Sequence, residues 1–297
     1  MNKVSIIMTC HNGQEYLQKS LQSIKNQTYK NWELIFLDNN SKDNSKKILT
    51  KYKDKRIFYF KSNKTLNLGR ARQLAFNKCN GNYITFLDVD DLWSKNKLKL
   101  QVQKFKFNNK IDVLYGKYNI LKNNVTYKRK YKKLIKGKCK QEIILSYIEG
   151  RPYTAWLTLM IKKKAIKSLD YAFDKNLHIA SDFDLILRLS NFCNFDYSNI
   201  YFAFYRVHLK NESTRNKYSE IKELSYIFRK IEKDPIIKKN QKIIKFMDKL
   251  YLKKFFFDKI KNIKSDIKIF MIKKNYFKII YLFINIVPSF LLKNLYK

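Results

Sequence analysis

Four short apolar or β-branched runs mark the first third of the chain: residues 4–9 (VSIIMT), 33–37 (ELIFL), 56–60 (RIFYF) and 83–87 (YITFL). Each of the three gaps between them carries a helical pattern, which gives a βαβαβαβ order. In the first gap Leu17, Leu21 and Ile24 fall at i, i+4 and i+7, and Asn12 followed three residues later by Glu15 reads as a helix N-cap with its reciprocal partner. In the last, Gly69 opens a stretch with Ala71, Leu74, Ala75 and Cys79. Strands alternating with helices of this length predict a mostly parallel sheet covered on both faces, with ligands bound beyond the carboxyl ends of its strands.

From about residue 94 the pattern becomes mixed. It predicts a helix near 94–107, strands near 111–116, 156–161 and 200–207, and a helix from Asp182 to Asn191. Between Lys122 and Lys140 there are nine basic residues and no acid, as in an exposed hairpin or loop. Beyond Lys217 the spacing is helical throughout, with Lys between the apolar positions and no returning strand signal.

Composition sharpens this picture. A chain of 297 residues, 45% hydrophobic and 15% aromatic, can bury a sizeable core, which excludes disordered, collagen-like and disulfide-miniprotein classes. Lys and Arg number 63 against 24 Asp and Glu, a formal charge of +39 that would suit nucleic acid or an anionic membrane surface. The excess is spread along the chain, +11 over 1–100, +13 over 101–209 and +15 over 210–297, so no separate basic arm exists. Of the basic residues 54 are Lys and 9 are Arg, whereas base readout and bidentate phosphate contacts favour Arg. Lys, Asn, Ile, Tyr and Phe share A/T-rich codons, so base-composition bias is a competing source of the charge.

Cys10, Cys79, Cys139 and Cys193 stand alone, with no CxxC pair, and the opening MNKVSIIMT lacks a signal-peptide layout; a reducing cytoplasm is expected. The longest apolar run, Ile279 to Leu292, is interrupted by Asn285 and Pro288 and falls short of the roughly 20 residues that span a bilayer.

Polar residues collect where the strands end: Thr9, Cys10, His11 and Asn12 after the first, Asp38, Asn39, Asn40 and Ser41 after the second, Asp88, Asp90 and Asp91 after the fourth. Carboxylates packed as closely as Asp88, Asp90 and Asp91 repel one another unless a cation sits between them, and an oxygen-only site suits Mg²⁺ or Mn²⁺ holding a diphosphate. The competing reading is an acidic cap on the helix that follows.

In their order and spacing, four segments resemble the inverting family 2 glycosyltransferases, which have a GT-A fold. These are VSIIMTCHNGQEYLQKSLQSIKNQTYKNWELIFLDNNSKD, NLGRARQLAFNKCNGNYITFLDVDD, IASDFDLILRLS and YRVH. The resemblance is continuous over residues 1–110, sparser to about 213, and absent beyond. It implies an α/β GT-A domain over 1–213, with a nucleotide-sugar-binding half (1–110) and an acceptor half (111–213), followed by a basic amphipathic helical region over 214–297.

The resemblance also implies roles. Asp88-Val89-Asp90 looks like the family's DxD motif, with Asp90 a metal ligand and Asp88 reaching the ribose or a metal-bound water. Thr9, His11, Asp38, Asn39 and Arg72 match positions around the nucleotide's base and ribose, although Asn39 stands where many members have a second Asp. Asp182 matches the proposed general base, which removes the acceptor hydroxyl's proton on the face opposite the leaving diphosphate; the plainer alternative is a helix cap. Ser181 replaces the Glu usually found beside it. Arg206 and His208 match a segment near the diphosphate or the metal, with His208 as a second metal ligand. Trp156 is a candidate for stacking on an acceptor sugar or for the core, and Asp91 for an acceptor or diphosphate contact.

The function so implied is a Mn²⁺- or Mg²⁺-dependent, non-processive, inverting transfer of one sugar from a nucleotide-diphospho-sugar, UDP being the family default. The acceptor would be a glycan or lipid-linked saccharide in surface glycan synthesis, at the inner face of the cell membrane. Segments such as LYLKKFFFDKI and FKIIYLFINIVPSFLL have the composition of helices lying in an anionic headgroup layer, or else form an ordinary helical cap. The QxxRW signature of the processive synthases is absent. Two alternatives remain: a basic nucleic-acid-binding α/β protein, which lacks any recognition motif here, and an inactive member of the same family, suggested by Asn39 and Ser181.

Overall fold

A computed structural model describes residues 2–131, 135–150, 154–211 and 216–272. Its first half is built on β1 (Val4–Cys10), β2 (Trp32–Asp38), β3 (Ile57–Lys61) and β4 (Tyr83–Phe86), all parallel, in the order β3-β2-β1-β4. β1 and β2 are buried almost throughout because both faces of the sheet are covered. The two-residue period of the strands divides their side chains between two cores. Ile7, Ile35 and Leu37 join Ala71, Ala75 and Phe86 on one face, whereas Ile6, Met8, Leu34 and Phe36 meet Leu17, Leu21 and Ile24 on the other.

Those last three residues are the buried stripe of α1 (Leu17–Lys25). The helix begins later than Asn12 and Glu15 predict. Tyr16 is its N-cap, without a side-chain cap; Asn12 adopts φ 54° and accepts from the Lys42 N–H at 2.8 Å, and Glu15 pairs with Lys210 at 2.9 Å. Asn12 therefore serves the β1 loop rather than the helix. After α2 (Ser45–Thr50), the third crossover is α3 (Leu68–Asn77), capped by the Asn67 side chain, which accepts from the Arg70 N–H at 2.9 Å. Gly69 lets α3 lie against the 174–177 loop: a Cβ there would come within 2.1 Å of the Asp174 carbonyl oxygen.

The four strands read as parallel are parallel, and the second half of the chain adds antiparallel strands that make the whole a mixed sheet, as the GT-A resemblance implies. Beyond β5 (Leu92–Trp93) and α4 (Lys97–Phe107) run β6 (Val113–Lys122) and β7 (Val125–Lys128), joined by Asn123 and Asn124, both with positive φ as a tight hairpin requires. Next come α5 (Lys140–Ile148), β8 (Met160–Lys162), α6 (Lys163–Lys167), α7 (Ser181–Leu189) and β9 (Phe195–Val207). The sheet continues β4-β8-β6-β9-β5, with β8 antiparallel to both β4 and β6, β9 parallel to β6, and β7 on β6. Residues 156–158, expected as strand, form a single 3₁₀ turn before β8. Of the basic stretch 122–140, Lys122 to Lys128 form the exposed tip of the β6–β7 hairpin, whereas Cys139 and Lys140 are buried at the start of α5 and 132–134 lie outside the described residues.

Among the described residues the helices that follow are α8 (Lys217–Ile231), α9 (Pro235–Lys238) and α10 (Gln241–Ile272). Leu224, Ile227, Phe228, Ile243, Met247 and Leu250 are buried in the core that also holds α5 and α7. All four cysteines are buried and free. Among the described residues no helix is long and apolar enough to cross a membrane; the run Ile279 to Leu292 lies outside them.

Candidate functional site

The carboxyl ends of β1, β2 and β4 open onto one side of the sheet, and two later elements close over it. α7 brings Asp182 to the crevice in its first turn, and the end of β9 brings Arg206 and His208. Together they bound a cavity of about 670 Å³ whose lining includes Thr9, Arg72, Asp88, Asp90, Asp91, Trp156 and Asp182.

Arg72 organises the floor. Only 4% exposed, it donates to the Ser181 hydroxyl at 2.7 Å, lies 3.5 Å from an Asp88 oxygen, and stacks its guanidinium 4.3 Å above the Trp156 ring. Trp156 in turn stacks on Phe86 at 3.7 Å. One side chain thus ties α3 to the strand end carrying Asp88 and to the first residue of α7. Desolvation pushes the Asp88 carboxyl up to about 6; Arg72 draws it down, and the charges of Asp90 and Asp182 push it further up. Asp182 is half-buried and its carboxylate accepts from the Phe183 N–H at 2.8 Å.

Asp90 faces the end of β9. Its Oδ2 lies 2.9 Å from His208 Nε2 and accepts from Asn211 Nδ2 at 3.4 Å, while its backbone carbonyl accepts from Arg206 Nε at 2.7 Å. The Arg206 guanidinium, over Tyr16 at 4.9 Å, leaves one terminal nitrogen buried without a hydrogen-bond partner. Tyr16 also packs on the His208 ring at 4.7 Å. Asp91 is turned the other way: it accepts from the Arg206 N–H at 2.8 Å, and burial, then the neighbouring Asp90 and Asp88, holds its carboxyl well above the usual range.

His11, Asp38 and Asn39 lie beside the cavity rather than in its lining. Asp38 accepts from the Ser41 N–H at 2.7 Å and the Tyr59 hydroxyl at 2.8 Å. Asn39 donates to the Leu66 carbonyl at 2.8 Å and accepts from its N–H at 2.9 Å, and His11 Nδ1 is 2.8 Å from the Asn39 carbonyl oxygen. These side chains hold the loops beside the cavity, and of the β1 and β2 candidates Thr9 alone is in its lining.

Among the described residues no three His, Cys, Asp or Glu side chains cluster around one point, so no all-protein metal cage exists. Asp90 Oδ2 and His208 Nε2 do converge, one hard oxygen and one imidazole, a pair that suits Mn²⁺ or Mg²⁺ when oxygens of a bound diphosphate and water complete the shell.

Sequence patterns did not single out Ser181 as the partner of Arg72, nor Asn211, nor Tyr16, nor Tyr118, Arg129 and Tyr205 in the cavity lining. Arg129 was hidden within the basic run, and Asn211 and Tyr16 acquire a role only through contacts across the fold.

Comparison with known proteins places this geometry. The family model described as Glycosyl transferase family 2 matches residues 5–169. An uncharacterised glycosyltransferase of Methanocaldococcus jannaschii is 30% identical over 98% of this chain and 91% of its own length. Escherichia coli WfaP, a UDP-Glc:alpha-D-GlcNAc-diphosphoundecaprenol beta-1,3-glucosyltransferase, is 30% identical over 78% of this chain and 87% of its own. Among solved structures, Staphylococcus aureus TarS 1-349 in complex with UDP-GlcNAc superposes with TM-score 0.62 at 20% identity, covering 76% of this chain and 66% of TarS 1-349. The mannosyltransferase PcManGT of Pyrobaculum calidifontis, in complex with GDP-Man and Mn²⁺, gives 0.61 at 14% identity, covering 84% of this chain and 70% of its own. The chain therefore spans about two thirds of these solved structures' length. The architecture shared with them is the GT-A fold.

Proposed function

This chain belongs to glycosyl transferase family 2, and from that premise we propose that it transfers one sugar from a nucleotide-diphospho-sugar to a saccharide acceptor by a single displacement with inversion. The observation that carries the reading is the pairing of two carboxylate centres in one cavity: Asp88 and Asp90 at the end of β4, and Asp182 at the start of α7.

Asp182 is the base. Its carboxylate takes the proton of the attacking acceptor hydroxyl while that oxygen forms its bond to the anomeric carbon and the bond to the diphosphate breaks, leaving a nucleoside diphosphate. Arg72 holds Asp88 toward the donor's ribose and fixes the start of α7 through Ser181, so donor and base are positioned by one guanidinium. Asp90 and His208 would hold the divalent cation, which supplies charge neutralisation for the departing diphosphate. The unpaired Arg206 nitrogen beside Asp90 supports an anionic oxygen arriving there, since a buried donor without an acceptor costs about 1–3 kcal/mol.

The donor and acceptor follow the relatives. WfaP uses UDP-glucose and a lipid-linked acceptor, and TarS is solved with UDP-GlcNAc, so a UDP-sugar and a lipid-linked saccharide of a surface glycan are proposed, with GDP-mannose the alternative that PcManGT supports. Peripheral attachment to the inner, anionic face of the cell membrane is proposed with it.

A panel of UDP-, dTDP- and GDP-sugars, titrated with and without Mn²⁺, tests this. One donor is expected to bind and hydrolyse slowly in a metal-dependent way, and Asp90→Ala to lose that dependence. Absence of binding to every donor, with and without metal, would sink the reading.

A further inference from the structure

The same cavity is lined by a cation with no carboxylate partner among the described residues. Arg129 follows β7 directly and lines the cavity together with Tyr118 and Tyr205. Its guanidinium lies 4.7 Å from the Tyr118 ring centroid and 5.5 Å from that of Tyr131. The mount is stiff: the Tyr131 hydroxyl accepts from the Tyr118 N–H at 2.8 Å, and the Arg129 carbonyl accepts from the Tyr201 hydroxyl at 3.2 Å. Tyr118 also meets Tyr205 edge to face at 6.1 Å.

Among the described residues every other buried or half-buried Arg has an acceptor. Arg56 has Asp54, Arg72 has Ser181 and Asp88, Arg188 has Asp184 and two carbonyls, and Arg206 has the Asp90 carbonyl. Among the described residues none accepts from the Arg129 guanidinium, which is held by π faces alone. Rings fix the plane of a guanidinium while leaving its N–H edges free, the arrangement that meets a tetrahedral anion by two parallel hydrogen bonds. The position matters as much as the charge. Two Arg side chains line the cavity, and whereas Arg72 is 3.5 Å from an Asp88 oxygen and hydrogen-bonded to Ser181, Arg129 has no carboxylate partner among the described residues, so it is the one with charge left for a second anion besides the donor's diphosphate.

Resting on the transferase reading above, we propose that Arg129 is the anchor for a phosphate or diphosphate group carried by the acceptor, so that the site selects acceptors that are phospho-linked over neutral saccharides. The anion would sit between the Tyr118 and Tyr205 side of the cavity and the Arg129 edge, leaving the acceptor sugar to reach toward Asp182. The same chemistry exists in a phospholipid headgroup, but Arg129 lines a cavity rather than an exposed face, which favours a single extended acceptor.

Calorimetric titration of n-hexyl diphosphate into the full-length protein saturated with UDP and Mn²⁺, which blocks the donor's own diphosphate site, tests this on wild type, Arg129→Met and Arg129→Lys. Wild type is expected to bind, Arg129→Met to lose at least ten-fold in affinity with its UDP affinity unchanged, and Arg129→Lys to fall between. Equal binding by wild type and Arg129→Met, or none by wild type, overturns the anchor. So does tighter binding of hexyl glucuronide than of hexyl diphosphate, or a loss of phosphatidylglycerol-vesicle binding in Arg129→Met, which would assign the residue to a carboxylate or to the membrane surface. The UDP titration reads the transferase proposal separately: failure there is failure of the enzyme reading, whereas bound UDP with Arg129-independent hexyl diphosphate binding removes the anchor alone.

Discussion

Single side chains in this fold do work that their neighbours in sequence do not announce. Arg72 is the clearest, because its two hydrogen-bonding edges and its flat face are all in use at once. Lys at this position keeps the charge but neither the fork nor the stack, so Arg72→Lys is expected to fold and to lose about ten-fold in kcat/KM, about 1.4 kcal/mol of transition-state stabilisation. Asp182→Asn is expected to bind donor normally and to lower kcat by about 10²–10⁴-fold, read by single-turnover transfer. Both residues were legible from their motif. What sequence left open was the company they keep: Asp38 and Asn39 were expected around the base, yet their polar atoms are bonded to Ser41, Tyr59 and Leu66, contacts that depend on how two loops meet. Lys97 was not legible at all, since nothing in a Lys-rich helix marks one Lys as the buried member. It is fully buried, bonded to Thr85 and Gln101 at 2.8 Å and 4.1 Å above the Trp93 ring, with no carboxylate among these partners. Burial holds its amine well below the usual lysine range. The unfolded chain therefore binds a proton that the folded one lacks, so stability rises as pH climbs from the folded value toward the ordinary lysine range. The buried thiols of Cys79, Cys139 and Cys193, pushed up to about 12, work in the opposite sense above pH 9, so the test is the difference: chemical denaturation at pH 7 and pH 10 should show a change in stability more favourable in wild type than in Lys97→Met.

At the level of elements, the first half of the molecule follows from alternation and helical spacing almost directly, because parallel strands buried on both faces write long apolar runs into the sequence. The second half resisted for a physical reason. β8 is three residues long and its partners are antiparallel, and the register of β6 on β9 shifts around Gly116, where a Cβ would strike the Phe202 ring at 2.4 Å. Short strands and shifted registers carry little periodic signal. α3 supplies a prediction of its own. Two backbone carbonyls, of Asp174 and Leu177, stand where a Gly69 side chain would go, and backbone yields less readily than a side-chain tip. Gly69→Ala is expected to destabilise by about 1–3 kcal/mol in urea titrations and, by pushing α3 away, to weaken donor binding through Arg72 one turn on.

The whole molecule joins a strongly basic surface to a core that runs through the C-terminal helices. Leu224 to Leu250 pack against α5 and α7, so this region supports the wall that carries Asp182. On α10, Leu252 and Phe255 are more than half exposed, with Lys249 and Lys253 exposed beside them. Flotation with phosphatidylglycerol vesicles should show salt-sensitive binding from the overall charge and a salt-resistant part that Leu252→Ser with Phe255→Ser removes. Binding that vanishes wholly with salt in wild type would assign the association to charge alone.

The Asp90–His208 contact joins positions 118 residues apart in the chain. During synthesis the N-terminal half, with β1 to β4 already adjacent in sequence, can assemble while the ribosome is still translating the rest, because domains fold as their residues emerge. Asp90 then waits without its histidine until His208 leaves the exit tunnel, and the start of α7 waits for the helices that back it until Leu250 has emerged. A ribosome-tethered chain would thus hold the β1, β2 and β4 strand ends before it holds the complete cavity, and premature termination before Asn211 yields a fragment that lacks part of the cavity lining.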